Sequence, residues 1–273
     1  MNILISQLLS IGSAILVLLL GMTIIAFGMF AWSDAHADVA NTTHNLGSNG
    51  PGPNTFSGTA EICVFCHTPH GGDSSASVPL WNKSLTTATY TTYDTLGTSS
   101  LDGAIAPVGS VSIACLSCHD GTQAMDTVLN EPGSGAIVSS YNSGIWSGSE
   151  NPTGIALIGT DLTNDHPIGI QYGGGGITVG TPAAATNDPD FVPTSTAVIN
   201  NNTIWWVDTE PTANGTRQKT DMQLYTRSVG SIDAGTFQPF VECASCHDPH
   251  AETQTFLRIS NDDSAVCLAC HVK

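Results

Sequence analysis

The chain has 273 residues and a formal net charge of −17, with six basic residues (Lys83, Arg217, Lys219, Arg227, Arg258 and Lys273) against 23 acidic ones. That balance leaves no basic stripe to neutralise phosphates and so excludes nucleic acid as a partner class. Only 11% of residues are charged and 7% aromatic, and Gly, Ser, Thr and Asn recur throughout. Long amphipathic helices are therefore scarce, and something besides an apolar core is expected to organise the fold.

Residues 3–32 are apolar almost throughout and run into SDAHADVA. Ala35-His36-Ala37 is a small-x-small cleavage site that would leave Asp38 as the mature N-terminus. The segment has no Lys or Arg ahead of the apolar run, which also exceeds the roughly 7–15 residues of a usual signal core. An uncleaved anchor, for which about 20 apolar residues suffice, is the alternative. Either reading makes residues 1–37 a signal peptide or anchor. The rest is then exported to the periplasm, the outer surface or the extracellular space.

Residues 38–130 hold two cysteine motifs, 131–235 form a loop-rich segment carrying His166, and 236–273 hold two more motifs. In the middle segment GGGG (173–176), TPAAAT (181–186) and NDPD (187–190) read as turns and surface loops. TIWWVD (203–208) and MQLYTR (222–227) read as strands of a hairpin, and TFLRI (255–259) as another short strand. No long periodic helix is visible after residue 38, and each cysteine motif is expected on a single helical turn. The expected fold class is mostly irregular coil, organised by bound cofactors, with short helices at the motifs and a few short strands.

All eight cysteines lie in four copies of one pattern, Cys63-Val-Phe-Cys66-His67, Cys115-Leu-Ser-Cys118-His119, Cys243-Ala-Ser-Cys246-His247 and Cys267-Leu-Ala-Cys270-His271. C-x-x-C-H is the attachment signature of c-type haem. Both thiols add to the haem vinyl groups, and the histidine becomes the proximal iron ligand. Zinc sites, disulfides and redox-active pairs also use C-x-x-C, but none needs a histidine immediately after every pair. The reading is four c-type haems, with proximal ligands His67, His119, His247 and His271.

Nine histidines are present. With the proximal four and His36 of the leader set aside, His44, His70, His166 and His250 remain, one for each iron. Methionine is the other common sixth ligand, but after Asp38 only Met125 and Met222 occur. Four bis-histidine irons is the economical solution. His70 sits too close to His67 to reach around the same haem, and Pro69 biases Thr68 away from helix. His70 is thus free to serve a neighbouring iron, as is His250 in the repeat Cys243-Ala-Ser-Cys246-His247-Asp-Pro-His250. His166 stands between Asp165 and Pro167, and Asp165 is placed to accept its ring N–H. His44 lies on a short N-terminal arm, able to ligate within its own chain or in the next.

HNLGSNGPG (44–52), ICVFCHTPH (62–70), PLWNKS (79–84), CLSCHDG (115–121), TDLTNDHPIG (160–169) and FLRISNDDSAVCLACH (256–271) resemble the multihaem c-type cytochromes with paired CxxCH motifs, and among them the tetrahaem extracellular filament (OmcE-type) cytochromes. The resemblance covers both ends of the mature chain and His166. It implies stacked bis-histidine haems in a continuous chain with little regular secondary structure. It also implies polymerising members in which one histidine ligand crosses to the adjacent subunit, with His44 the candidate here.

The expected function is long-range extracellular electron transfer without substrate turnover, so the chain is read as a non-enzyme. Expected partners are other cytochromes, extracellular metal oxides or electrodes, and copies of itself in a conductive filament. The alternatives are a multihaem reductase with one open iron and a monomeric periplasmic electron carrier.

Overall fold

The computed structural model describes residues 38–133, 139–177, 186–210, 214–227 and 237–272. The leader expected over 1–37 and most of TPAAAT lie outside them. Residues 38–273 form one compact unit. Much of it is coil, punctuated among the described residues by short helices and one five-stranded antiparallel sheet. The helices are α1 (Ser112–His119), α2 (Ser139–Asn142), α3 (Cys243–Cys246) and α4 (Ala265–Cys270). None is long and apolar enough to cross a membrane.

The strands are β1 (Ile170–Gln171), β2 (Ser195–Ile199), β3 (Asn202–Val207), β4 (Met222–Arg227) and β5 (Gln238–Val241), in the order β1-β5-β4-β3-β2. The expected hairpin of TIWWVD and MQLYTR is present, with its first strand displaced by one residue to Asn202–Val207: Trp205 faces Leu224, and Val207 faces Met222. The segment read as loop-rich thus contributes four strands. β2 and β3 join through Asn200 and Asn201, at φ 50° and 65°. That is the left-handed pair a two-residue hairpin demands and asparagine tolerates. Pro239 sits within β5 where β1 offers no partner, since β1 reaches only Phe240 and Val241, so its missing N–H breaks no ladder bond on that side.

TFLRI is not a strand. Thr255 and Phe256 adopt φ 53° and 60°, the chain forms a 3-10 turn over Gln254–Phe256, and only Leu257 bridges, to His247. The GGGG run behaves as expected, with all four glycines at positive φ.

Of three apolar clusters among the described residues, two between them carry all four motifs. On one face of the sheet Trp205, Val207, Met222, Leu224, Val241 and Tyr172 pack together, with Cys246 and Cys270 against them. Full burial of each such side chain contributes about 1.5–3 kcal/mol. The second core is built of Leu46, Phe56, Val64, Phe65, Met125 and Tyr141, with Cys66, Cys118 and Trp146 against it. At its centre Phe56 meets Phe65 and Tyr141 edge-on, at 6.3 and 5.1 Å between centroids, the arrangement aromatic quadrupoles favour. Motifs 1 and 2 therefore share one core, and motifs 3 and 4 share the other. Both methionines after residue 38 are interior: Met125 is in the second core and Met222 in the first.

Candidate haem-attachment sites

Each C-x-x-C-H lies on a short helical turn. Motif 1 is a 3-10 turn, Cys63–Phe65, anchored by buried Val64 and Phe65. Motif 2 is the C-terminal half of α1, whose buried face is Ser112, Ala114, Leu116 and Ser117. These small residues bring the helix close to its neighbours, and Gly121 at φ 74° provides the left-handed exit after its end. Motif 3 is α3, started by a capping box in which Glu242 and Ser245 satisfy each other's backbone N–H. Motif 4 is α4. In motifs 1, 3 and 4 the histidine N–H donates to the carbonyl of the first cysteine, at 2.7, 3.2 and 2.9 Å. The backbone then leaves the turn extended at His247 and His271.

Three of the four motif imidazoles are oriented alike. Nδ1 of His67, His119 and His247 lies 2.7, 2.7 and 2.8 Å from the backbone carbonyls of Pro79, Ala156 and Thr255. A carbonyl can only accept, so each Nδ1 carries the proton and Nε2 is left with its lone pair free, the tautomer a metal ligand needs. This explains why TFLRI fails as a strand: Thr255 turns its carbonyl inward to hold His247.

The remaining histidines are placed unequally. His250 faces His67 with centroids 6.3 Å apart and planes 14° from parallel, and its Nδ1 lies 3.3 Å from the Asp248 carboxylate. His44 faces His119 at 6.1 Å, with planes at 74°. It stacks on Phe256 at 4.0 Å and directs Nδ1 to the Pro249 carbonyl at 3.3 Å. Burial, and the neighbouring His119, His250 and His247, push its pKa down to about 4. His166 donates from Nδ1 to the Pro167 carbonyl at 3.0 Å rather than to Asp165. Its pKa is lowered first by burial and also by nearby His271. His70 is exposed, and among the described residues its ring has no stacking or hydrogen-bonding partner. Its backbone carbonyl is tied to Thr68 and Asn130.

These donors fit a c-type haem. All eight cysteines are free thiols. Two imidazoles on one metal, each bonded at about 2.0–2.1 Å with a ring centre roughly 1 Å further out, put their centroids just over 6 Å apart, which is the separation of both facing pairs. Trp81, edge-on to His67 at 6.2 Å, has a buried indole N–H without an acceptor, as suits a site that receives a carboxylate-bearing group.

Thiols of successive motifs are also neighbours. The Cys115 and Cys243 thiols are close enough to shift each other's ionisation, Cys115 upward and Cys243 downward. Cys66 lies within electrostatic reach of Cys63 and Cys118, Cys115 of Cys118, Cys246 of Cys243 and Cys267, and Cys270 of Cys246 and Cys267. The junction of motifs 2 and 3 is held by groups the sequence did not single out. Buried Glu242 accepts from Ser112 Oγ at 2.5 Å and pairs with Arg227 at 2.9 Å, while Ser112 Oγ also accepts the Cys243 N–H at 2.9 Å. No local pattern marks this cluster, because its members come from three separate elements.

Thiol pairs followed by oriented imidazoles define a c-type haem site. Residues 238–273, motifs 3 and 4, match the family profile of the doubled CXXCH motif. That match is consistent with a multihaem c-type cytochrome. No curated protein sequence matches the chain. The CxxCH motifs imply covalently bound haem, and a paired CxxCH points to electron transfer.

Proposed function

We propose that the protein is a tetrahaem c-type cytochrome that conducts electrons over long range outside the cytoplasm. The observation that carries this reading is that thiols of successive motifs are neighbours, Cys118 of Cys66, Cys243 of Cys115 and Cys267 of Cys246, which supports a row of attachment sites in the order 1-2-3-4. Bound haem supplies reversible one-electron chemistry. The chain's own task is to hold the sites close together and to offer each iron two neutral imidazoles.

In this reading His67 is paired with His250, His119 with His44 and His271 with His166. That leaves His247 and His70. The facing of His44 with His119 of its own chain moves the inter-subunit role expected of His44 to exposed His70, which serves the iron at His247 of a neighbouring copy and links copies into a filament. Redox proteins, metal oxides or electrodes are the terminal partners, and no substrate is turned over.

The unpartnered ring of His70 also favours a second reading, a reductase whose open iron is the one at His247. Low-temperature EPR of the oxidised holoprotein, with haem content quantified, separates the two. Four haems per chain, all low-spin, with filaments in negative stain, are expected for the conduit. His70→Ala should then release soluble monomers with one high-spin haem in four. A stoichiometric high-spin signal in the unmodified protein would sink the conduit and establish the open site. Filaments that persist in His70→Ala would rule out His70 as the link.

A further inference from the structure

Lys83 is fully buried, and among the described residues no carboxylate pairs with it. Its Nζ donates to the carbonyls of Ala124 at 2.9 Å, Thr127 at 2.8 Å and Met125 at 3.4 Å. An ammonium has three donors, so none remains for a haem carboxylate. An unpaired charge is costly to bury, and three carbonyl dipoles offset that cost only in part. The position acts at a distance, through its field.

Its location is specific. The N–H of Asn82 donates to the Cys66 carbonyl at 2.9 Å, which pins the residue next to Lys83 against motif 1. The three accepting carbonyls belong to the segment that leaves motif 2. Burial raises the Cys66 thiol to about 12 and the Cys118 thiol in the same direction, and in both the Lys83 cation opposes the rise. The cations near motif 3 differ, because each has a carboxylate: Arg227 is paired with Glu242, and Arg258 lies 3.9 Å from Asp248.

We propose that Lys83 is a positioning charge that raises the potential of the two haems held by Cys63/Cys66 and Cys115/Cys118 above that of the other two, so that the N-terminal half of the row is reduced first. This rests on the haem reading above. A positive charge favours the ferrous state, and one charge acting through an effective dielectric near 20 is enough to move a population several-fold.

The test is a spectroelectrochemical titration of haem-loaded protein, Lys83→Gln and Lys83→Arg, with haem content and thermal midpoint measured on the same samples. In Lys83→Gln the ferrous-to-ferric ratio at fixed potential should fall roughly three- to tenfold in two of the four haems, tenfold being about 59 mV for one electron, and Lys83→Arg should restore it. Four haems whose potentials all stay in place, even with a lowered midpoint, would make Lys83 merely structural and overturn the proposal. So would an equal shift in all four. Absence of covalent haem from the unmodified protein would instead defeat the parent reading. Should Lys83→Gln fail to accumulate, EPR of the unmodified protein at poised potentials decides. The ferric signals of the His67/His250 and His44/His119 irons must vanish first on reduction, and the reverse order rejects the idea.

Discussion

The imidazoles of His67 and His250 lie 6.3 Å apart between centroids, with planes 14° from parallel, although they belong to cysteine motifs at opposite ends of the chain. One follows Cys66 directly, while the other lies just beyond the ligand of a different motif. An iron held between them would tie motif 1 to motif 3. His250→Ala should therefore turn one haem in four from low-spin to high-spin, read by EPR, and loosen the contact between the two ends of the chain. An unchanged all-low-spin spectrum would show that some other residue fills the position.

Ring orientation gives a second expectation. The His67/His250 planes are nearly parallel and the His44/His119 planes nearly perpendicular. The oxidised protein should accordingly show both a rhombic low-spin signal and a strongly anisotropic one. His44→Ala should remove the anisotropic signal and leave the rhombic one. The opposite loss would mean that His44 and His250 have been assigned to the wrong irons.

In the haem-free chain, where no iron occupies its Nε2, the lowered pKa of His44 sets a pH dependence. In the unfolded chain the residue titrates near 6.5, whereas burial among other imidazoles brings it to about 4 in the folded chain. A depressed folded pKa means that the folded state resists protonation. Its contribution to stability is therefore complete above about pH 6.5 and is lost as the pH falls through 4. Denaturation midpoints measured between pH 7 and pH 3.5 should fall across that window, and the slope should flatten in His44→Ala. An equally steep slope in the variant would assign the effect to another group.

Asn82 is fully buried. Its Nδ2 donates to Val64 O at 2.6 Å and Asn130 O at 2.9 Å, and its Oδ1 accepts the Asn130 N–H at 2.9 Å. Asn82→Ala strands these partners away from water and should cost about 2–4 kcal/mol, read as a lower thermal midpoint with haem content retained. A midpoint within error of the unmodified protein would show that the coil around motif 1 is held by its haem alone.

The motifs were legible in the sequence because covalent attachment fixes their spacing: two thiols and an imidazole must meet one ring, and a helical turn delivers them. β3 and β4 were legible because Trp205, Trp206, Val207, Leu224 and Tyr225 supply the aromatic and branched residues strands favour. β5 was hidden by Pro239, which argues against a strand unless the partner on that side is known to be short. TFLRI carried strand-like residues, but the demand of His247 for a carbonyl overrode them. Nothing local discloses the burial of Lys83, since the three carbonyls that hold it come from a segment beyond motif 2. The pairing of distal histidines is likewise a product of packing: the short arm of His44 could serve its own chain or the next, and only the fold places Phe256 and His119 beside it.

The nearness of the Cys115 and Cys243 thiols bears on how the protein is made. In an oxidising compartment, two adjacent thiols are the starting point of a disulfide. A chain that folded before receiving its cofactors would bring one cysteine from each of two motifs together and invite them to oxidise, closing both motifs to further modification. Maturation must therefore keep the chain open and reduced until its cysteines are capped. The closeness that would join neighbouring redox centres in a haem-loaded chain is then a hazard during its biogenesis.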